Sequence, residues 1–371
     1  MISEDTAVGK PERLFLSGLR LAAGGKRLPD FAIDTQTLMD AATFARDRWM
    51  FTHFAEGLLP ILSHTHHDWL STELRVWKAQ VMQGNAILVS RSGQIAKILV
   101  KNNLTGIMFK GVAQQKQIYD DFFVRPASDM DILVAKHDFR KVLQVLDAAG
   151  FQPKFKKSLW WETFLGERHL YYRDETQRAL DVHNRLQQPG LPRPKRLDAF
   201  LTSDAVIGHR GQDWPVVPRR LLPLIPAMNL VKGLVSRHKM LGHAWDLSHL
   251  LGHGSTARVA SFMQVAHAHG LTGTALVALR ALNALFPGPY SDMNARLAKT
   301  LVSLSDDDLV CTLIGTREAP APLRRRDILV SASERHMGRI LREGVWYGLS
   351  EVTRRFDKEH LHDDARGGMI R

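Results

Sequence analysis

Cysteine is almost missing from this chain, because Cys311 is the single one among 371 residues. A lone cysteine excludes an intramolecular disulfide and any zinc site built from several thiolates. A chain without a disulfide framework is typical of the reducing cytoplasm, so we expect a cytoplasmic protein.

Long apolar stretches are missing as well. No run approaches the roughly 20 apolar residues that a membrane-spanning helix needs. The first residues, Met-Ile-Ser-Glu-Asp, do not form a basic segment followed by an apolar one, so we expect no secretory signal peptide. The sequence therefore predicts no membrane partner.

Acidic residues are fewer than basic ones. The chain has 38 Asp and Glu and 50 Lys and Arg, which gives a formal net charge of +12. This excess fits an anionic ligand such as a nucleoside triphosphate or RNA. The arginines are scattered except at residues 324–326, and no basic patch alternates with stacking aromatics. RNA stays open as a partner without being favoured.

What the chain does have is a pair of carboxylates at the start of an apolar run. Asp129 and Asp131 lead directly into Ile-Leu-Val at residues 132–134, a pattern that predicts a buried strand. Alternate strand side chains share a face, so the two carboxylates lie on the same side of the strand. Because like charges repel, this pair is costly unless cations lie between the carboxylates.

Further strands are predicted on both sides of this pair. Residues 107–109 form a short apolar run that ends in Lys110-Gly111, and residues 110–119 read as a polar segment. Residues 139–149 have helical periodicity, while 168–173 and 179–183 read as two strands. Strand, helix and then several strands indicate an α+β fold.

Three motifs in this order resemble a known family. They are Phe109-Lys110-Gly111, then Arg125 with Ser128-Asp129-Met130-Asp131, and then Asp181-Val182-His183. The set resembles a largely uncharacterised bacterial branch of the nucleotidyltransferases of the DNA polymerase β superfamily. The resemblance is good over residues 95–190 and continues more weakly to about residue 290. It implies a small mixed nucleotidyltransferase sheet with flanking helices.

The resemblance also implies a site. Asp129, Asp131 and Asp181 would be catalytic and would hold Mg²⁺, with Mn²⁺ as an alternative. Lys110 and Gly111 stand where the wider superfamily has Gly-Ser, in the loop that binds the triphosphate.

Three more residues are assigned to nucleotide binding: Ser128, His183 and Arg125. For Arg125 two interpretations stay open, a forked donor to phosphate or an ion pair that holds Asp129 or Asp131.

Helical patterns flank this core and predict four regions. They are an N-terminal helical region at 1–100, the nucleotidyltransferase core at 101–195, a C-terminal helical region at 196–300, and a helical extension with a polar tail at 301–371.

Details within the flanking regions are predicted as follows. Residues 1–30 read as a loosely packed lead-in, and Gly84 and Gly93 as breaks or kinks in the N-terminal helices. Residues 213–215 read as part of a short polar segment. We interpret His238 and Asp246 as a buried polar pair that joins two helices.

Together these features predict a Mg²⁺-dependent nucleotidyltransferase that moves an NMP group, AMP from ATP, to an unknown acceptor. The acceptor could be a small molecule, a peptide, a protein or an RNA. One alternative is kinase-type phosphoryl transfer from the same site. Another is a non-catalytic nucleotide- or RNA-binding module, which the three mutually repelling aspartates disfavour.

Overall fold

The computed structural model describes residues 8–153, 160–173, 178–202, 205–236, 240–288, 290, 293–316, 325–334 and 336–357. Most of this part is helical, and no helix within it is both long and apolar enough to cross a bilayer. The helices are α1 (Lys10–Ala22), α2 (Thr35–Asp47), α3 (Phe51–Leu58), α4 (His64–Lys101), α5 (Gly111–Tyr119), α6 (Phe139–Ala148), α7 (Asp198–Leu201), α8 (Leu224–Ser236), α9 (Met240–Leu250), α10 (Thr256–Ala268), α11 (Thr272–Leu285), α12 (Asn294–Leu297), α13 (Asp306–Ile314), α14 (Arg325–Ala332) and α15 (Met337–Phe356).

The strands form two sheets. They are β1 (Gly106–Met108), β2 (Asp129–Val134), β3 (Phe151–Gln152), β4 (Glu167–Tyr172), β5 (Ala179–His183), β6 (Val206–His209) and β7 (Gln212–Pro215). The larger sheet has the order β1-β2-β5-β4-β3, and β6 and β7 form a separate hairpin. Only the β2–β5 pairing is parallel among the described pairs of the larger sheet. The predicted α+β class, with a mixed sheet and flanking helices, is confirmed.

The two faces of the larger sheet have different neighbours. Met130, Ile132 and Val134 of β2, with Leu180 and Val182 of β5, face a core that also contains residues of α4 and α6. The opposite face carries the odd-numbered residues of β2 and β5, which include the predicted aspartates. The aspartates therefore lie on the face opposite the core of α4 and α6, while Leu133 on their own face belongs to a second core.

A second core crosses the predicted region boundaries. It contains residues from Val8 to Ala332, so the N-terminal and C-terminal helices share one apolar interior. The division into four regions stays a prediction. Residues 301–357 contain α13, α14 and α15, while the residues from 358 onward, which include the predicted polar tail, and His238 lie outside the described residues.

Two predictions about the N-terminal region are wrong. The lead-in contains α1, which buries Leu14, Phe15 and Leu19 at helical spacing, and this amphipathic face is what holds it in the core. Helix α4 continues through Gly84 and Gly93, so neither glycine breaks the helix, while a kink at either one stays a prediction. A helical glycine costs only about 1 kcal/mol relative to alanine, because its backbone hydrogen bonds survive.

Two polar stretches are better ordered than their sequence suggests. Residues 110–119 read as polar, yet most of them form α5, which connects β1 to β2. Residues 213–215 belong to the β6–β7 hairpin, and Trp214 there is fully buried in the core beside the sheet. A Cβ on Gly93 would lie 2.9 Å from Oε1 of Gln212, so α4 and this hairpin pack closely.

Candidate functional site

The register of the parallel strands places two of the predicted aspartates side by side. Asp131 of β2 is the Cα partner of Asp181 of β5. Asp131, Asp181 and His183 are buried, and one ligand atom from each lies within 4.8 Å of the others. Side chains that are partners in register share a face, so β2 and β5 present two carboxylates and an imidazole together.

Asp129 lies on the same face, one alternation before Asp131 at the start of β2. It is only partly buried, and its register partner is Ala179 rather than an acidic residue. Asp129 therefore stands nearer to solvent, at the edge of the group formed by Asp131 and Asp181.

Lys110 and His183 both contact the carboxylate of Asp131. Lys110 Nζ lies 3.0 Å from Asp131 Oδ1, and His183 Nε2 lies 2.9 Å from the same oxygen. Burial alone would raise the pKa of Asp131, but the Lys110 ammonium and the His183 hydrogen bond hold it well below its usual range. Burial would likewise lower the pKa of Lys110, but Asp131, Glu167 and Asp129 raise it to about 12.

Gly111 occupies a place that only glycine accepts without strain. It is the first residue of α5 and has a φ of +60°. A Cβ at this position would lie 2.8 Å from the carbonyl oxygen of Asp129. The Lys110-Gly111 turn is thus packed directly on the β2 backbone, and the N-terminus of α5 opens beside the aspartates.

Sequence reasoning missed two residues of β4. Glu167 is the register partner of His183, and His169 is the partner of Asp181. His169 Nδ1 lies 2.5 Å from Asp181 Oδ1, and His169 Nε2 lies 3.3 Å from Glu167 Oε1. The available signal was the Glu-x-His alternation at the start of the strand predicted at 168–173, which in the structure begins one residue earlier, at Glu167.

We call Asp131, Asp181, His183, Glu167 and His169 the carboxylate–imidazole array. His183 links its two halves, because His183 Nδ1 lies 3.5 Å from Glu167 Oε2 while its Nε2 contacts Asp131. Carboxylates and imidazoles therefore alternate along the series of contacts that runs from Asp131 through His183, Glu167 and His169 to Asp181.

A second lysine, Lys232 of α8, also interacts with the array and was not foreseen. Burial and the nearby Lys110 lower the pKa of Lys232, against the attraction of Glu167, Asp131 and Asp181. Burial would raise the pKa of Glu167, but His183, His169 and the two lysines lower it to about 2. Because its position depends on how α8 packs over the sheet, Lys232 had no local sequence signal.

Arg125 lies against Asp246 rather than against Asp129 or Asp131. Its Nη1 donates to Asp246 Oδ1, and its Nη2 lies 2.6 Å from Oδ2. Tyr119 also donates to Asp246, over 2.6 Å. Of the two interpretations of Arg125, an ion pair is present, but its partner is on α9; a contact with phosphate stays a prediction.

The remaining predicted residues are placed as follows. Ser128 immediately precedes β2 and is partly buried. Asp246 is fully buried, as predicted, but it joins α9 to the segment before β2 through Arg125. A pairing of Asp246 with His238 cannot be described, because His238 lies outside the described residues. The nucleotide contacts assigned to Ser128, His183, Lys110 and Gly111 stay predictions.

The donor set fits a divalent cation. Carboxylate oxygens suit Mg²⁺ and Mn²⁺, and imidazole nitrogen suits Mn²⁺ and other transition ions. Asp131, Asp181 and His183 could hold one ion, and so could the overlapping set of Glu167, His169 and Asp181.

Comparison with known proteins supplies the family. A search of curated proteins found no match to the chain. The profile of a family described as "Uncharacterised nucleotidyltransferase" matches residues 54–287, which is well over half of the sequence. The match includes β1 to β5 and therefore all of the residues of the array. The chain belongs to this family of nucleotidyltransferases.

Proposed function

We propose that this nucleotidyltransferase moves an NMP group, AMP from ATP, to an acceptor with the help of Mg²⁺. The observation that carries the proposal is the register of β2 and β5, which pairs Asp131 with Asp181 beside His183. Buried carboxylates that face each other need positive charge between them. A divalent ion supplies that charge, and the same ion can also bind the oxygens of an anionic triphosphate.

Each group has a distinct task in this proposal. Asp129 and Asp131 hold the cation that accompanies the triphosphate, and Asp181 completes the position next to the acceptor. The bound metal would neutralise charge on the phosphates and align the attacking oxygen with the α-phosphorus.

The start of α5 supports the binding of the triphosphate. The peptide N–H groups at a helix N-terminus attract phosphate oxygens, and Lys110 adds a buried ammonium beside them. Lys110 is paired with Asp131 at 3.0 Å. A cation bound to Asp131 would compete for that pairing and leave the ammonium to the phosphates.

Isotope position in the product tests the reaction type. The full chain is incubated with Mg²⁺, candidate acceptors and ATP labelled at either the α- or the γ-phosphate. Nucleotidyl transfer retains the α-label in the acceptor and releases pyrophosphate, whereas kinase-type transfer retains the γ-label. Asp131→Asn should abolish retention of the α-label, and Asp213→Asn, a change on the exposed side of β7, should not.

Binding of ATP gives an independent test. Isothermal titration calorimetry should show that Mg²⁺ strengthens ATP binding to the wild type. The same affinity with and without the metal, or in the Asp129→Asn/Asp131→Asn variant, would contradict the proposed metal-assisted site.

A further inference from the structure

The array offers more metal ligands than the three aspartates of the proposed site. Glu167, His169 and Asp181 each place one ligand atom within 4.8 Å of the others. Atoms on opposite sides of one ion lie up to about 4.2 Å apart, twice a typical metal–ligand distance. Small side-chain rotations would therefore gather these three atoms around an ion.

The shape of the sheet supports this second position. Glu167 and His169 come from β4, on the side of β5 opposite to β2, and both are register partners of β5 residues. Asp181 lies between the two strands and belongs to both candidate triads. One carboxylate between two ligand sets is the arrangement that bridges a pair of ions roughly 3.5–4 Å apart.

Burial gives a further argument. Asp131, Asp181 and Glu167 are each less than 10% exposed and lie on adjacent strands of one sheet. Buried carboxylates this close together are unfavourable unless cations lie between them.

We propose that Glu167, His169 and Asp181 form a second cation position, which binds a transition ion such as Mn²⁺ without nucleotide. Imidazole nitrogen favours ions of this class over Mg²⁺. This position adds a second ion to the proposed transfer site. It depends on the proposed function only for the neighbouring ion at Asp131. His169 already contacts both carboxylates of the position, since it hydrogen-bonds to Asp181 and lies against Glu167.

Direct counting of bound Mn²⁺ tests the proposal. The full chain, without nucleotide, is titrated with Mn²⁺, and electron paramagnetic resonance of the free ion gives the number bound. Glu167→Gln and His169→Asn should each bind one Mn²⁺ fewer than the wild type, or bind it at least tenfold more weakly. Asp131→Asn should retain the ion at Glu167 and His169.

The matched control is His137→Asn, since the His137 side chain is 83% exposed and pairs with Asp138, which is not part of the array. It should bind the same number of ions as the wild type. Wild-type stoichiometry and affinity in both Glu167→Gln and His169→Asn would overturn the proposal. Circular dichroism identifies a variant that fails to fold, and the other variant then decides.

The magnetic spectrum adds a second readout. Two Mn²⁺ ions bridged by Asp181 should give the broadened, coupled signal of an ion pair, and the coupling should disappear in Glu167→Gln. An uncoupled wild-type spectrum at full occupancy would contradict the shared carboxylate. The Mn²⁺ titration contains no nucleotide, so its result does not depend on transfer activity. If the wild type shows no transfer activity but binds Mn²⁺ as expected here, the proposed function would be refuted and this inference would stand.

Discussion

Asp181 is the residue whose removal should separate nucleotide binding from the chemical step most clearly. Its carboxylate faces Asp131 on one side and His169 on the other. A ligand that contributes mainly to the transition state lowers kcat when it is removed, without raising the dissociation constant of the substrate. We expect Asp181→Asn to bind Mg·ATP almost normally and to lose transfer activity by roughly a hundredfold or more.

The measurement compares single-turnover transfer with calorimetric affinity in the same preparation. Asp213→Asn is the control, because Asp213 is exposed on β7. An Asp181→Asn variant that transfers at the wild-type rate would remove Asp181 from the reaction.

The role of Lys110 is tested differently, because its ammonium is already paired with Asp131 in the protein without nucleotide. Its ammonium is bonded to Asp131, and its pKa is raised to about 12, so it remains charged at neutral pH. If it also contacts the triphosphate, Lys110→Ala should weaken ATP binding much more than AMP binding. Equal loss for ATP and AMP, measured by calorimetry, would mean that Lys110 supports only Asp131.

Glycines allow a matched comparison at the residue scale. Gly111 has a φ of +60° and would place a Cβ against the Asp129 carbonyl, so Gly111→Ala should lower the free energy of unfolding by about 1–3 kcal/mol. Gly84 lies inside α4, and a Cβ added there would have no atom of a neighbouring residue within 4 Å, so Gly84→Ala should raise the free energy of unfolding by about 0.5–1 kcal/mol. Urea denaturation measures both, and two changes of the same sign would contradict the comparison.

Between elements, the pair of Arg125 and Asp246 joins α9 to the segment that leads into β2. Asp246 is completely buried and accepts from both Arg125 and Tyr119. Removing one partner leaves the other charge buried and unpaired, which costs about 3–5 kcal/mol. Arg125→Met and Asp246→Leu should each destabilise the protein by that amount.

The double variant separates pairing from packing. Because it leaves no charge unpaired, Arg125→Met/Asp246→Leu should be less destabilised than the sum of the single variants. Strict additivity in urea denaturation would mean that the two side chains do not stabilise each other in the folded protein.

The strands that carry the site could be predicted from the sequence, whereas the complete set of residues in the site could not. The strands at Asp129 and Asp181 follow from apolar runs with alternating carboxylates, and both are present. Glu167 and His169 join the site only through the antiparallel register of β4 with β5. Register depends on pairing between distant segments, which periodicity within one segment does not reveal. The partner of Arg125, on a helix over a hundred residues later, was hidden for the same reason.

Across the whole molecule, buried histidines predict sensitivity to acid. Burial, followed by the charge of Arg125, lowers the pKa of His53 to about 3, and burial lowers that of His243 to about 3 as well. His53 also faces Asp246, which opposes this shift, and His249 and His253, which add to it. The side chain stacks on Trp245 with ring centroids 4.5 Å apart, and its Nε2 has no hydrogen-bond partner among the described residues.

The direction of the effect follows from proton binding. Between pH 6.5 and about 3 the unfolded chain binds protons that folded His53 and His243 do not, so the free energy of unfolding falls as the pH is lowered through that range. Each histidine should contribute about 1.4 kcal/mol per pH unit. His53→Gln should reduce the slope of stability against pH, measured by urea denaturation, while His137→Gln should leave it unchanged.

The pairing of β2, β5 and β4 has a consequence for length changes. Since side chains alternate between faces, a single residue inserted into β5 before Asp181 would turn Asp181 and His183 toward the apolar core and bring Leu180 or Val182 to the polar face. A two-residue insertion would restore the facing but move each group by one full alternation, roughly 6.6 Å along the strand. We therefore expect length changes to be tolerated in the segments between these strands but not within the strands that carry the ligands.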